Sequence, residues 1–216
     1  MTLSQKIVLA LLRPLLNICV SWKAEGRENV PLTGPLILVA NHVHVLDPIL
    51  LVFSLPRWIT FVAKEELFRS LFLRLWLRWA GSLPLRRDGK VREKQRILES
   101  ARRALEEGSI LGMFPEGVRS HDGKLRKGKA GPAVIASKTN VPVLPVGVIG
   151  TDKIHGISWL WKRPRIVVKI GKPFKLPPTN NKISRAQMQL LTTQLMREIA
   201  GLLPPEYQGA YEKHED

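Results

Sequence analysis

Six consecutive residues, Pro35-Leu-Ile-Leu-Val-Ala40, carry no polar side chain, and the chain turns polar at once at Asn41-His42. An apolar run of strand length without alternation marks a strand buried on both faces. Such a strand needs neighbours in a sheet and helices on either side. The rest of the chain supplies them. Strand patterns recur around Val20–Glu25, Trp58–Ala63, Ile110–Phe114, Val143–Val148 and Arg165–Ile170. Between them lie helical patterns. Asp47-Pro48 reads as an N-cap and first-turn proline opening a helix over Ile49–Leu55. Glu65–Ala80 reads as one helix stopped by Gly81, and Val91–Glu107 as another stopped by Gly108. Ser184-Arg-Ala-Gln187 is a capping box for a last helix, with Met188, Leu191, Leu195, Ile199 and Leu202 on one stripe. Alternating strands and helices predict a single α/β domain, its sheet mixed but mostly parallel and covered on both faces.

Composition agrees with one folded unit. A chain of 216 residues is long enough for one domain with a sizeable core, and 44% hydrophobic residues exclude a disordered basic tail. Cys19 is the only cysteine, so a disulfide-stapled module is excluded as well. The formal net charge of +16 asks for an anionic partner: nucleic acid, a membrane surface or a phosphorylated substrate. No nucleic-acid motif accompanies it, and the aromatics do not interleave with basic residues as a base-stacking platform requires. Nucleic acid is therefore not an expected partner.

Residues 1–20 are greasy but interrupted by Lys6, Arg13, Pro14 and Asn17. That is too broken for a spanning helix of about 20 apolar residues, and no small-residue cleavage site follows it. An interfacial helix, lying on a membrane or on the domain itself, suits it better. In the 65–80 segment, Phe68, Phe72, Trp76 and Trp79 fall within roughly 80° of helical arc, with Arg74 and Arg78 opposite. Such a stripe serves a core or a membrane interface, and the greasy N-terminus favours the interface.

Four segments carry candidate chemistry. The first is Asn41-His-Val-His-Val-Leu-Asp47, directly after the buried strand. Ligands of open α/β sheets bind at the carboxyl ends of strands. A histidine beside a carboxylate is a ready general base, because the carboxylate holds Nδ1–H and steadies the imidazolium. On a straight helix His42 and Asp47 would lie about 140° apart, so they can meet only if a turn intervenes. The plain alternative is an ordinary turn with Asp47 as a cap. His42-x-His44 with Asp47 also suggests a two-metal hydrolase, but His121, His155 and His214 lack the spacing to complete one, and no metal is expected. The second segment is Gly81-Ser-Leu-Pro-Leu-Arg86-Arg87, whose paired arginines suit a phosphate or a basic surface loop. The third is Phe114-Pro-Glu116-Gly117-Val118-Arg119-Ser120 at another strand end. There glycine permits close backbone approach, arginine can hold an anion, and the glutamate can accept from a hydroxyl or pair with an arginine. The fourth, Val141-Pro-Val-Leu-Pro-Val146, reads as a wall.

In this order the four blocks resemble the glycerolipid acyltransferases, whose pattern is N-H-x-x-x-x-D, G-x-x-P/F-x-x-R, F-P-E-G-T-R-S and V-P-[VI]-x-P-V. The resemblance covers about residues 25–150. The acyltransferase domain it implies is taken as 21–203, between the greasy interfacial segment 1–20 and a polar tail over 204–216 whose composition reads as loose. It implies His42 as general base, Asp47 as its orienting carboxylate, and Arg87, Glu116, Gly117 and Arg119 as the binders of the acceptor's glycerol phosphate. The implied reaction takes an acyl group from acyl-CoA or acyl-carrier-protein, without any cofactor, to the free hydroxyl of 1-acylglycerol 3-phosphate, giving phosphatidic acid. Glycerol 3-phosphate or another lysophospholipid is the alternative acceptor, and a non-catalytic membrane-binding module the more distant alternative. No nucleophile elbow or catalytic cysteine is present, consistent with direct attack and no acyl-enzyme. The expected partners are the lysophospholipid, the acyl donor and an anionic membrane surface, and the expected location is the cytoplasmic face of a membrane. Val118 in place of the usual Thr, His44 in place of a frequent Ser, and Arg86 in place of a frequent acid leave the His/Asp pair intact but open the question of the acceptor. Between Arg86 and Lys138, 14 basic residues face 7 acidic ones, so positive charge gathers around two of the blocks.

Overall fold

The computed structural model describes residues 2–85, 91–154, 156, 159, 163–179 and 183–212, with the backbone alone at 64, 72, 73, 76, 85, 91, 93 and 94. Seven strands form one sheet: β1 (Ser21–Glu25), β2 (Leu36–Ala40), β3 (Ile59–Lys64), β4 (Leu83–Leu85), β5 (Ile110–Met113), β6 (Val143–Ile149) and β7 (Arg165–Ile170). Their order is β1-β7-β6-β2-β5-β3-β4. Only β6 and β7 pair antiparallel; every other pair is parallel. The helices are α1 (Leu3–Cys19), α2 (Asp47–Ser54), α3 (Leu71–Trp79), α4 (Val91–Glu106), α5 (Gly131–Thr139), α6 (Arg185–Ala200) and the short α7 (Pro205–Gln208). The predicted α/β class and mostly parallel sheet are both found.

The apolar run that announced the sheet is its centre. Every residue of β2 is fully buried. Alternate side chains divide it between two cores. Ile37 and Val39 join Leu111, Met113 and Val143 under α4, α5 and α6. Leu36, Leu38 and Ala40 join Ile59, Ile110 and Val146 under α2, with Leu16 of α1 packed at the margin. Gly112 of β5 is required by packing: a Cβ there would come within 2.5 Å of Ile59 and 2.7 Å of the Phe61 ring.

Three elements differ from the sequence reading. The segment 65–80 is not one helix: Glu65–Arg69 is a 3-10 turn, and α3 starts afresh, with the Arg74 amide bonded to the Ser70 carbonyl at 2.8 Å. Phe68 and Trp79 are half-buried, and Trp58 meets Trp79 edge to face at 5.4 Å. The side chains of Phe72 and Trp76 lie outside the described residues. α5 had no periodic signal, because Gly131-Pro-Ala-Val-Ile-Ala-Ser137 is small and buried nearly all round. The described part of the tail, 204–212, is docked rather than loose. Tyr207 is buried, its hydroxyl donates to Asp152 at 2.6 Å, and its carbonyl accepts the Leu125 amide at 2.8 Å.

α1 begins with a complete capping box at Thr2 and Gln5 but buries none of its residues. Asn17 ties it to the domain, accepting from Trp22 Nε1 and from Arg163, both at 2.8 Å. Among the described residues no helix is long and apolar enough to cross a membrane.

Candidate active site

The parallel strands β2, β3, β4, β5 and β6 bring their carboxyl ends to one edge of the sheet. Asn41 extends β2 by one residue. Its side chain does what a backbone would do, donating to the Val148 carbonyl at 2.8 Å and accepting the Val148 amide at 2.7 Å. This closes the β2–β6 ladder at the point where the chain must leave it. The family's Asn is therefore a structural latch here, a role the motif alone could not reveal.

His42 follows in the loop, and the turn joins it to Asp47. Nδ1 lies 2.9 Å from Asp47 Oδ2. The same oxygen accepts the backbone amides of Val43 and His44, each at 2.7 Å. Asp47 was expected to cap α2, yet Leu46 is the cap residue and the carboxylate points back into the loop. The reason is geometric: the five-residue turn presents two amides and a ring nitrogen to one oxygen, a stronger set than a single capping bond. The carboxylate is fully buried at the first turn of α2, where the helix dipole favours negative charge. With Nδ1 donating to Asp47, Nε2 carries the basic lone pair.

The third block lies against the first. The His42 ring stacks on Phe114 with centroids 4.1 Å apart, and Phe114 stacks on Phe61 at 5.8 Å. Gly112 leaves the room in which Phe61 lies. Phe114 and Phe61 thus shape the site, although sequence reasoning singled out neither for it. The only signal was that Phe114 precedes Pro115-Glu116 in the motif. Glu116 is 2% exposed. Its Oε1 accepts the His42 amide at 2.7 Å and its Oε2 the Arg126 amide at 2.9 Å. These are different partners from the acceptor that the resemblance implies for Glu116. Burial pushes its carboxyl up to about 7, opposed by the two amide donors and the Arg126 charge and reinforced by the Asp47 charge.

Gly117 has φ +70°, a left-handed turn that a side chain would resist, and its amide bonds to the Phe114 carbonyl at 3.0 Å. Arg119 is exposed, next to Ser120, whose amide donates to the His42 carbonyl at 2.7 Å. Arg87 lies outside the described residues. The loop that follows is strongly basic, with exposed Lys124, Arg126, Lys127 and Lys129. His44 is half-buried and its Nδ1 accepts the Leu46 amide at 3.3 Å, while His121 is exposed. Among the described residues no group of three His, Cys, Asp or Glu side chains is placed to hold a metal ion.

The acyltransferase family model matches residues 21–149, more than half of the chain. The chloroplastic 1-acyl-sn-glycerol-3-phosphate acyltransferase LPAT1 of Arabidopsis thaliana is 35% identical over 152 residues, covering 69% of this chain and 42% of that protein. The 1-acyl-sn-glycerol-3-phosphate acyltransferase of Bacillus subtilis is 26% identical over 193 residues, covering 88% of this chain and 92% of its own length. The crystal structure of the 1-acyl-sn-glycerophosphate acyltransferase PlsC from Thermotoga maritima superposes with a TM-score of 0.65 at 28% identity, covering 92% of this chain and 79% of that one. The chain spans less than half the length of the chloroplast relatives it matches. The matched span contains the whole β2 edge with His42, Asp47 and Glu116, and on it the chain belongs to the acyltransferase family.

Proposed function

We propose that this chain acylates the free hydroxyl of 1-acylglycerol 3-phosphate, giving phosphatidic acid, with acyl-CoA or acyl-carrier-protein as donor. The observation that carries this reading is the His42–Asp47 contact of 2.9 Å at the carboxyl edge of the sheet. His42 Nε2 removes the proton from the acceptor hydroxyl as its oxygen attacks the thioester carbonyl. A C–O bond forms, the C–S bond breaks, and the proton passes from the imidazolium to the leaving thiolate. Asp47 keeps the ring in the required tautomer and stabilises its charged form. Every group the proton and acyl transfers need is in the chain or the two substrates, so no cofactor takes part. Arg119, beside the loop that clasps His42, and Arg87 bind the acceptor's phosphate, and Gly117 lets the backbone approach it.

The acceptor and product are lipids, and membrane association on the cytoplasmic face follows the same logic. Leu3, Ile7, Leu11, Leu15 and Ile18 of α1 are 49–74% exposed. Val45 of the His42 loop and Leu67 after β3 are exposed too. The strand directions bring the end of α1, the His42 loop and Leu67 to one edge of the sheet. Apolar side chains at that edge and a surrounding excess of lysine and arginine suit an anionic bilayer surface.

The test is thiol release from acyl-CoA, with a parallel acyl-carrier-protein arm, in vesicles containing lysophosphatidate, glycerol 3-phosphate or other lysophospholipids. Turnover selective for lysophosphatidate and abolished in His42→Ala is expected. Wild-type turnover by His42→Ala, or release with none of the acceptors, sinks the reading.

A further inference from the structure

A carboxylate that is 2% exposed must have its oxygens hydrogen bonded, or its burial costs several kcal/mol. Glu116 meets that demand with backbone alone: the His42 amide at 2.7 Å and the Arg126 amide at 2.9 Å. The same segment holds the other polar group of the His42 backbone, because the Ser120 amide donates to the His42 carbonyl at 2.7 Å. Phe114, two residues before Glu116, is the platform on which the His42 ring lies. Asp47 therefore orients the ring from one side, while 114–120 grips the residue's backbone and ring face from the other.

The far arm of the grip is itself braced. Arg126 sits in the 125–129 loop, which the C-terminal segment straps down. The Leu125 amide donates to the Tyr207 carbonyl at 2.8 Å, the Ala210 amide to the Leu125 carbonyl at 3.2 Å, and the Gly128 amide to the Tyr211 hydroxyl at 3.0 Å. The Lys129 amide donates to the Pro115 carbonyl at 2.8 Å, closing the loop onto the residue before Glu116. Gly128 fits only because it lacks a Cβ, which would come within 2.5 Å of Met196.

We propose that Glu116 is a positioning residue, whose carboxylate ties the His42 backbone to the strapped 125–129 loop and makes no contact with the acceptor. A carboxylate serves both arms because each donor lies on its own oxygen, the His42 amide on Oε1 and the Arg126 amide on Oε2, and both of those atoms must accept. The geometry stands without knowledge of the reaction; its consequence for turnover rests on the acyltransferase reading above.

Amide hydrogen exchange on the wild-type protein tests the geometry directly. The His42 amide should exchange as slowly as those of β2; exchange as fast as an exposed loop amide overturns the proposal. Steady-state kinetics of Glu116→Gln tests the role. Glutamine can accept at one arm only and sets its NH₂ against the other amide. The expected result is a kcat lowered on the order of 100-fold, as for a reacting group moved by a fraction of an ångström to one ångström. The lysophosphatidate KM should stay within about threefold, and the His42 amide should exchange faster. A KM raised tenfold or more at retained kcat would show that Glu116 holds the acceptor, and an unchanged kcat would also refute the positioning role. Where Glu116→Gln does not fold, Glu116→Asp, whose shorter side chain cannot reach both amides, takes its place with the same split expected: kcat lowered and the lysophosphatidate KM within about threefold. A wild-type protein inactive on lysophosphatidate refutes the acyltransferase reading and leaves the exchange result standing.

Discussion

Oδ2 of Asp47 accepts the His42 ring nitrogen at 2.9 Å across five residues, and the same oxygen accepts two amides of the intervening turn. One oxygen thus sets both the shape of the loop and the tautomer of the ring. Asp47→Asn keeps the shape and loses the charge that stabilises an imidazolium. It should lower kcat by about 10²- to 10⁴-fold while changing the acceptor KM little. Initial rates across a lysophosphatidate series check this; a variant within threefold of wild type contradicts the dyad.

The Glu116 carboxyl is held up at about 7 in the fold, against 4.5 for the ordinary group. Between those values the folded protein binds more protons than the unfolded chain, so stability falls as pH rises. The penalty starts above the unfolded value and is complete once pH passes the folded one, at most on the order of 3 kcal/mol. Urea unfolding from pH 4.5 to 8 should show this downward component in wild type and lose it in Glu116→Gln. Identical slopes in the two proteins would contradict it.

Asn41 is 1% exposed and makes two hydrogen bonds to Val148. Asn41→Ala leaves a buried amide and carbonyl without partners, at about 1–3 kcal/mol each. A lowered urea midpoint with a reduced kcat is expected, because the residue after the broken latch is His42. Unchanged stability would show that water takes over both bonds.

Arg119 is exposed at the end of the Glu116 loop. Arg119→Ala should raise the lysophosphatidate KM about tenfold and leave the acyl-CoA KM within twofold, as expected for loss of a phosphate contact. Equal effects on both substrates would assign the arginine elsewhere.

α1 buries none of its residues, and Leu11 and Leu15 are 72% and 57% exposed. Replacing both by Ser should leave the free energy of urea unfolding within about 0.5 kcal/mol, because surface positions count for little. Co-sedimentation with anionic vesicles should fall severalfold, since each apolar side chain inserted contributes to interfacial binding. Retained vesicle binding would move the membrane contact away from α1.

Much of this molecule was legible in the amino-acid order because the physical cause was local. An unbroken apolar run becomes a buried strand wherever it lies, so β2 and the α/β class were readable from Leu36–Ala40. A serine followed by glutamine at the right spacing caps α6 in the structure, as written in the sequence. The spacing of His42 and Asp47 allowed a meeting but did not require one; the turn that folds Asp47 back beneath the loop decided it. The roles of Asn41, Phe114 and Glu116 were decided by tertiary structure alone. Val148 lies 107 residues from Asn41 and Glu116 74 from His42, and no local propensity relates residues so far apart. What determines those contacts is the strand order that sets β2 between β5 and β6, and the cost of leaving an enclosed polar group without a partner.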